Sequence, residues 1–330
     1  MLYPLKFKPR FKERIWGGDA LATLLGKDVP EGKLIGESWE ISAVQGDVSV
    51  VADGPLSGNS LEELAEIYMG DLLGEKVYEK YGIEFPLLIK FINARDDLSV
   101  QVHPDDDLAF VRHESYGKTE MWYILDAEPG AVLYIGFARE VSPQEYIDAV
   151  EAGTVASLLN RVEVEAGQAF FIPAGTIHAI GKGIVLAEIQ QTSDITYRVY
   201  DWGRTDEQGN SRELHTELAV GAIDFAQAED YDVTSFPIPN KPVRLVEDDH
   251  FTVALLKVDD SCERDYSDLD SFVIYICVEG SVGVCFSEGY VPLDCGETVL
   301  IPRQEDYIEI NGEGTLLECY IDLRPEEFEL

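Results

Sequence analysis

The stretch Leu98-Ser99-Val100-Gln101-Val102-His103-Pro104 alternates apolar and polar side chains. Successive residues of a β-strand point to opposite faces. Leu98, Val100 and Val102 are therefore expected on one face, a core face, and Ser99, Gln101 and His103 on the other. A hydroxyl, an amide and an imidazole in a row, between apolar neighbours, either satisfy hydrogen bonds or bind something. Pro104 ends the strand, and Asp105-Asp106-Asp107 are expected to follow in solvent.

Similar patterns recur along the chain. Lys6, Lys8, Arg10, Lys12 and Arg14 alternate with Phe7, Pro9, Phe11 and Glu13, as in a solvated edge strand. Ala20 to Leu25 suits a short helix, and Ile35 to Ser42 a strand. Ser60 with Glu63 forms a capping-box pattern that starts a helix at Leu61. Phe85 to Ile92 is a buried strand carrying one lysine, Lys90, which must snorkel, pair or work. In the strand Lys118 to Leu125, Lys118, Glu120 and Trp122 share a face. Strands are expected over Ala131 to Phe137, Gly183 to Gln190 and Thr196 to Tyr200. A helix is expected from Ser142 through Val150, a second short one up to Leu159, and a helical piece around Glu213 to Ala219. Pro237 to Pro242 look like a linker. From Val243 onward short strands are separated by turns such as Glu279-Gly280 and Glu288-Gly289, which suggests a sandwich or barrel.

The chain also echoes itself. Val162, Gly167 and Pro173 recur at the same spacing as Val291, Gly296 and Pro302. Ala169-Phe170-Phe171-Ile172 is matched by Thr298-Val299-Leu300-Ile301. Past the proline the copies diverge: Gly175 becomes Gln304 and His178 becomes Tyr307. This implies two copies of one β-unit, the second without the histidine.

Composition narrows the partners. The 330 residues include 63 acids and 25 bases, a net charge of -38. Such a field disfavours nucleic acid and anionic membrane surfaces. An anionic substrate must then be captured by a local cluster of Lys and Arg. Hydrophobic residues make up 45% of the chain, enough for a sizeable core, yet no apolar run reaches the ~18 residues of a bilayer span. Met1 to Lys6 lacks an apolar signal core. Cys262, Cys277, Cys285, Cys295 and Cys319 are odd in number and without C-x-x-C spacing, as expected of reduced thiols in a cytoplasmic protein.

Gly167-x5-Pro173-x-Gly175-x-x-His178 resembles the second signature motif of the cupins, small jelly-roll barrels that bind a metal inside. Gln101-x-His103 and Glu120 stand where the first cupin motif has H-x-H and a later Glu. This variant resembles the type I phosphomannose isomerases (mannose-6-phosphate isomerases), in their short bacterial form. The best local matches are Leu98 to Pro104, Lys118-Thr-Glu-Met-Trp122 and the Pro173 to His178 turn. Arg14-Ile-Trp-Gly-Gly18 and Gly36-Glu-Ser-Trp-Glu40 match more weakly. The chain departs from the longer enzymes at Tyr116-Gly117, where they often carry Asn-His.

The resemblance covers about residues 1–240. It implies a mainly β fold: a metal-binding catalytic cupin barrel with helical insertions over residues 1–240, and a smaller cupin-like domain without metal over 241–330. It implies one Zn2+ per chain, held by Gln101, His103, Glu120 and His178, a donor set that also suits a catalytic zinc on chemical grounds. Lys118 and Arg198 map to the family's catalytic lysine and arginine. Glu188 and Asp194 are candidates to orient the bases or shuttle protons, and Lys90, Ser99 and Trp16 to contact substrate. His113, His215 and His250 have only surface or structural context. The implied reaction interconverts mannose 6-phosphate and fructose 6-phosphate through a cis-enediol, the proton being moved by Lys118 or a neighbouring carboxylate. Two other readings stay open: a cupin Fe(II) dioxygenase, since two His and a carboxylate also suit ferrous iron, and a non-catalytic sugar-binding cupin. The expected partner is a small sugar phosphate, and the expected state a cytoplasmic monomer or homodimer.

Overall fold

The computed structural model describes residues 2–205, 209–228 and 230–323. Residues 324–330 of the expected C-terminal domain lie outside this range. The chain forms two compact units. One comprises Phe11–Ser38 and Leu88–Thr234, and the other takes the remaining described residues.

In the first unit most strands fall where apolar residues alternate or run together. The strands are β1 (Arg10–Gly18), β2 (Ile35–Ile41), β3 (Leu87–Ala94), β4 (Val100–Val102), β5 (Glu120–Ala127), β6 (Val132–Phe137), β7 (Leu159–Glu163), β8 (Ala169–Ile172), β9 (His178–Ile180), β10 (Ile184–Gln191) and β11 (Tyr197–Tyr200). They form a six-stranded sheet in the order β1-β2-β3-β10-β5-β8 and a five-stranded sheet in the order β11-β4-β9-β6-β7. β1 is an edge strand, as its alternating bases suggested. β3 and β10 are buried along their whole length, so Lys90, Glu188 and Gln190 are enclosed.

The inner and outer faces of the five-stranded sheet can be told apart by what covers them. Val100, Val102, Ile177, Ala179, Tyr197 and Val199 pack with Tyr146 and Ala219 of the helices Pro143–Glu151 and Thr216–Val220. The alternate positions face inward, where Ile180, Leu133 and Ile135 meet Trp122, Ile124 and Leu186 of the other sheet. Leu98 corrects the simple alternation. It packs with this inner cluster and not with Val100 and Val102; it lies outside β4, which starts at Val100, although its amide already donates to the Ile180 carbonyl.

The acidic run also differs from expectation. Asp106–His113 is a helix; Asp105 caps it by accepting from the Leu108 amide, and Arg112 and His113 end it. Acids at the start and bases at the end match the helix dipole, a signal outweighed by the charge of the run. The capping box at Ser60 is formed as read: Ser60 Oγ accepts from the Glu63 amide at 3.1 Å, and Glu63 accepts from the Ser60 amide at 2.8 Å. Ser60→Ala is expected to lower stability by about 1 kcal/mol, read as a shift in the urea midpoint; an unchanged midpoint would show that the cap is dispensable.

The second unit contains a second barrel-like sheet: β12 (Pro242–Glu247), β13 (Thr252–Asp265), β14 (Val273–Phe286), β15 (Gly289–Asp294), β16 (Thr298–Ile301) and β17 (Tyr307–Tyr320). The order is β12-β13-β17-β14-β15, with β16 paired to β14. Three strands of 14 residues replace the many short ones expected. Gly280 is a bend inside β14 and not a turn. It lies opposite Gly314, and a Cβ on it would come within 2.3 Å of the Glu313 carbonyl oxygen, so glycine lets one long strand turn a barrel corner. Glu288-Gly289 does join a hairpin, with Phe286 opposite Gly289. The expected linker at 237–242 is instead an ordered turn, in which Asn240 exchanges two hydrogen bonds with Asp259.

The internal echo is structural. Gly167 and Gly296 both take positive φ, +91° and +87°, immediately before β8 and β16. Those strands pair in turn with β5 and β14. The Tyr307 match needs correction. Tyr307 is half-exposed, whereas Ile308 is fully buried. The turn after Pro302 is one residue longer than that after Pro173, so Ile308 is the inward counterpart of His178.

Candidate active site and metal centre

Sheet register brings the sequence-distant candidates together. Gln101 lies directly opposite His178 on one side and Arg198 on the other. Opposed residues of paired strands point the same way, so Arg198, Gln101 and His178 form one row on the inner face. The six-stranded sheet supplies a second row, with Glu188 opposite Trp122 and Gln190 opposite Glu120. Lys90 joins it from β3, donating to Glu188 Oε1 at 2.7 Å and to Gln190 Oε1 at 2.5 Å.

His103, Glu120 and His178 are buried, and one ligand atom from each lies within 4.8 Å of the others. Among the described residues this is the one such group of three or more His, Cys, Asp or Glu. Both imidazoles are oriented by backbone. His103 Nδ1 lies 2.8 Å from the Ile195 carbonyl and His178 Nδ1 2.9 Å from the Thr176 carbonyl. Each Nδ1 must therefore carry the proton, which leaves each Nε2 with a lone pair facing inward. His178 Nε2 faces Glu120 Oε1 at 3.3 Å, and that oxygen has no hydrogen-bond donor although it is buried. His103 Nε2 faces the Lys118 ammonium at 3.2 Å and His178 Nε2 faces the orphaned Glu120 oxygen, so the three side chains present nitrogen and oxygen donors to one point, where a cation could be held. The residues present fit a metal ion. The Gln101 amide lies 3.3 Å from His178 Nε2, within reach of the same centre.

Charge around this group is dense. Lys118 bonds Glu120 through its ammonium, lies 3.2 Å from His103 Nε2 and 3.8 Å from Glu188. Burial alone would lower its pKa, but Glu120 and Glu188 hold it above the usual range. Burial lifts the Glu120 carboxyl to about 7, against the pull of Lys118. Glu188 goes the other way: despite burial, Lys118 and Lys90 hold it down at about 2. Burial and then Lys118 lower His178 to about 4 and push His103 well down, so both rings are neutral and able to ligate at neutral pH.

Arg198 has no ion pair among the described residues. Its Nε is buried without a partner, and NH1 donates to the Glu213 carbonyl at 3.0 Å. Its backbone is held on both sides by His215, whose Nδ1 accepts from the Arg198 amide and whose amide donates to the Arg198 carbonyl. The nearby Asp201 is taken by Arg204 and Arg212. A local arginine cluster thus exists within an acidic chain.

Other candidates stand apart. Asp194 is exposed between β10 and β11, and its carboxylate makes no bond to the cluster. Trp16 is buried in the inner apolar cluster. Ser99 is buried just before β4. Other residues hold the site together: Trp122, placed on this face by the strand alternation, and Thr119, Gln191 and Asp106, to which no role was assigned from the sequence. Trp122 donates to Glu188 at 3.2 Å and packs edge-on to His178. Gln191 accepts from the Thr119 amide and donates to Asp106, which accepts from the Gly117 amide. Thr119 Oγ1 accepts from the Ala174 amide. These bonds tie the segments carrying His103, Lys118, Glu120 and His178 to one another. The alternation of Glu188, Gln190 and their neighbours was the only local hint of this.

The profile of phosphomannose isomerase type I, catalytic domain, matches residues 4–132, and that of the mannose-6-phosphate isomerase cupin domain matches residues 242–321. Mannose-6-phosphate isomerase ManA of Bacillus subtilis is 38% identical over 325 residues, 96% of this chain and 98% of its own. The chain belongs to the type I phosphomannose isomerase family. A mannose-6-phosphate isomerase from Streptococcus mutans is 42% identical over 223 residues, 68% of each chain. The crystal structure of mannose 6-phosphate isomerase from Bacillus subtilis superposes with a TM-score of 0.84 at 33% identity, covering 97% of this chain and 100% of that one. Membership makes the chain an aldose–ketose isomerase with a mainly β, cupin-type fold and a small-molecule substrate. The His103, Glu120 and His178 group could hold the metal ion of such an enzyme. No helix among the described residues is long and apolar enough to cross a membrane.

Proposed function

We propose that the inner face of the first unit interconverts mannose 6-phosphate and fructose 6-phosphate, with one zinc ion held by His103, Glu120, His178 and Gln101. The observation that carries this reading is the convergence of two oriented imidazole lone pairs on an unpartnered carboxylate oxygen, beside a lysine and an arginine. When bound, zinc supplies a Lewis acid that favours negative charge on neighbouring substrate oxygens.

The chain's own residues do the rest. Lys118 is the mobile proton carrier next to the centre. It is held charged by Glu120 and Glu188, which lie within reach to take and return its proton. Glu188 stays ionised and fixes the ammonium groups of Lys90 and Lys118 on either side of it. Arg198 faces the same interior with unused donor capacity, suited to the enediolate or the phosphate. Arg204 and Arg212 add positive charge beside it. Ser99, buried just before β4, is the remaining candidate for a substrate contact; Trp16 packs the inner apolar cluster and Asp194 lies exposed and apart, so neither takes a step. Residues 1–240 form the catalytic region and 241–330 a metal-free domain, in a cytoplasmic monomer or homodimer.

The test is a coupled assay on mannose 6-phosphate with and without chelator. Turnover that is lost with chelator and restored by zinc supports the reading. Oxygen uptake with iron, or binding without turnover, would favour a dioxygenase or a sugar-binding protein instead.

Proton competition gives a further expectation. Glu120 in the metal-free protein titrates at about 7, so above that pH it is ionised and free to ligate. Below it, each pH unit is expected to weaken zinc about tenfold. Chelator competition between about pH 5.5 and about pH 8 reads this directly. An affinity flat across that range would remove Glu120 from the ligand set.

A further inference from the structure

Arg198 stands where backbone direction is hardest to keep. β11 is an edge strand of the five-stranded sheet. Its register with β4 shifts immediately after Arg198: Arg198 opposes Gln101 and Tyr200 opposes Val100, which leaves Val199 as an extra residue. Such a bulge bends a strand and re-aims the side chains beside it. An arginine that must meet charge on a substrate therefore needs a hold besides the β4 ladder.

Residues 213–215 supply it. His215 Nδ1 accepts from the Arg198 amide at 3.0 Å, and the His215 amide donates to the Arg198 carbonyl at 2.7 Å. One residue thus takes both main-chain groups of Arg198 on the open edge. Two positions earlier, the Glu213 carbonyl accepts from the guanidinium NH1 at 3.0 Å. The arginine is gripped at its root and at one tip, while its Nε is buried without a partner. His215 is anchored in turn. Its carbonyl accepts from the Ala219 amide at 2.9 Å, at the start of the helix Thr216–Val220. Ala219 packs with Tyr197 and Val199 in the outer cluster, and Arg112 donates to the Leu218 carbonyl. The ring's tautomer fits this task. An accepting Nδ1 puts the proton on Nε2, the reverse of His103 and His178.

Given the part proposed above for Arg198, we propose that His215 is a positioning residue of the isomerisation. It aims the guanidinium by fixing the backbone from which that side chain springs. A surface or structural histidine was expected here from the sequence. The structure shows one bonded to Arg198 through both ring and main chain.

The test uses the full-length, zinc-loaded chain in the coupled assay on mannose 6-phosphate. His215→Ala should lower kcat about 10–100-fold, the effect of a small misplacement of a reacting group. KM should change less than kcat, and the zinc content should not change. His215→Asn should recover most of the rate, because its Oδ1 falls where Nδ1 stands. His215→Gln, whose amide reaches the Nε2 position instead, should not. Added to Arg198→Ala, His215→Ala should cost no more than about a further twofold, since a positioning residue has nothing left to position. Near-normal kcat in His215→Ala, loss of zinc, equal rates for Asn and Gln, or a full further loss in the Arg198→Ala background would each overturn the assignment. If His215→Ala does not fold, the Asn and Gln pair decides. Near-normal turnover of Arg198→Ala alone would instead overturn the role of Arg198, on which this one rests.

Discussion

Arg198→Ala is expected to fold, keep its metal and lose about 10²–10³ in kcat, the effect of removing one donor aimed at developing charge. Three roles for this arginine make different predictions. As a structural ion pair it would need Glu188 or Asp194. Glu188 instead bonds Lys90 and Trp122, and the Asp194 carboxylate reaches neither the cluster nor Arg198. Loss of stability is therefore not the expected outcome. As a ground-state phosphate clamp it would raise KM and spare kcat. As a donor to charge that grows in the transition state it would lower kcat more than it raises KM. Its buried, unpartnered Nε and its place in one row with Gln101 and His178 favour the last. Arg198→Lys should recover little, because a point charge does not reproduce the planar fork. Near-normal turnover of Arg198→Ala at saturating mannose 6-phosphate would remove it from the mechanism.

His178→Ala should lose zinc. The ring is held by the Thr176 carbonyl and presents Nε2 to Glu120, so truncation deletes a ligand outright. Outer-shell changes already cost about 10–100-fold in metal affinity; a lost ligand should cost more. With the ion goes its stabilisation of developing charge, about 4 kcal/mol or about 10³ in rate. Metal content by mass spectrometry and chelator titration checks the first claim, and the coupled assay the second. Full zinc occupancy with unchanged affinity would mean that the ion sits elsewhere.

Much of the site was legible as local pattern. Period-two alternation placed Gln101 with His103, and Lys118 with Glu120 and Trp122, because strand geometry alone decides which neighbours share a face. The Gly167 to Pro173 spacing and its echo at Gly296 to Pro302 marked two β-units, because a positive-φ glycine before a strand is a backbone requirement that shows in the sequence. The lysine inside Leu87–Ala94 announced a buried charge. Its partner Glu188, 98 positions away, did not, since only pairing between non-adjacent strands brings them together. The same holds for Arg198 beside Gln101, and for the Gln191 and Asp106 bonds beneath Lys118. Parity also needed the fold. One extra residue after Pro302 turns Tyr307 outward and Ile308 inward, and a single-residue shift exchanges every side chain between core and solvent. Residue types and their local spacing thus fixed which groups could act. Strand register, a non-local property set by packing, decided which of them meet.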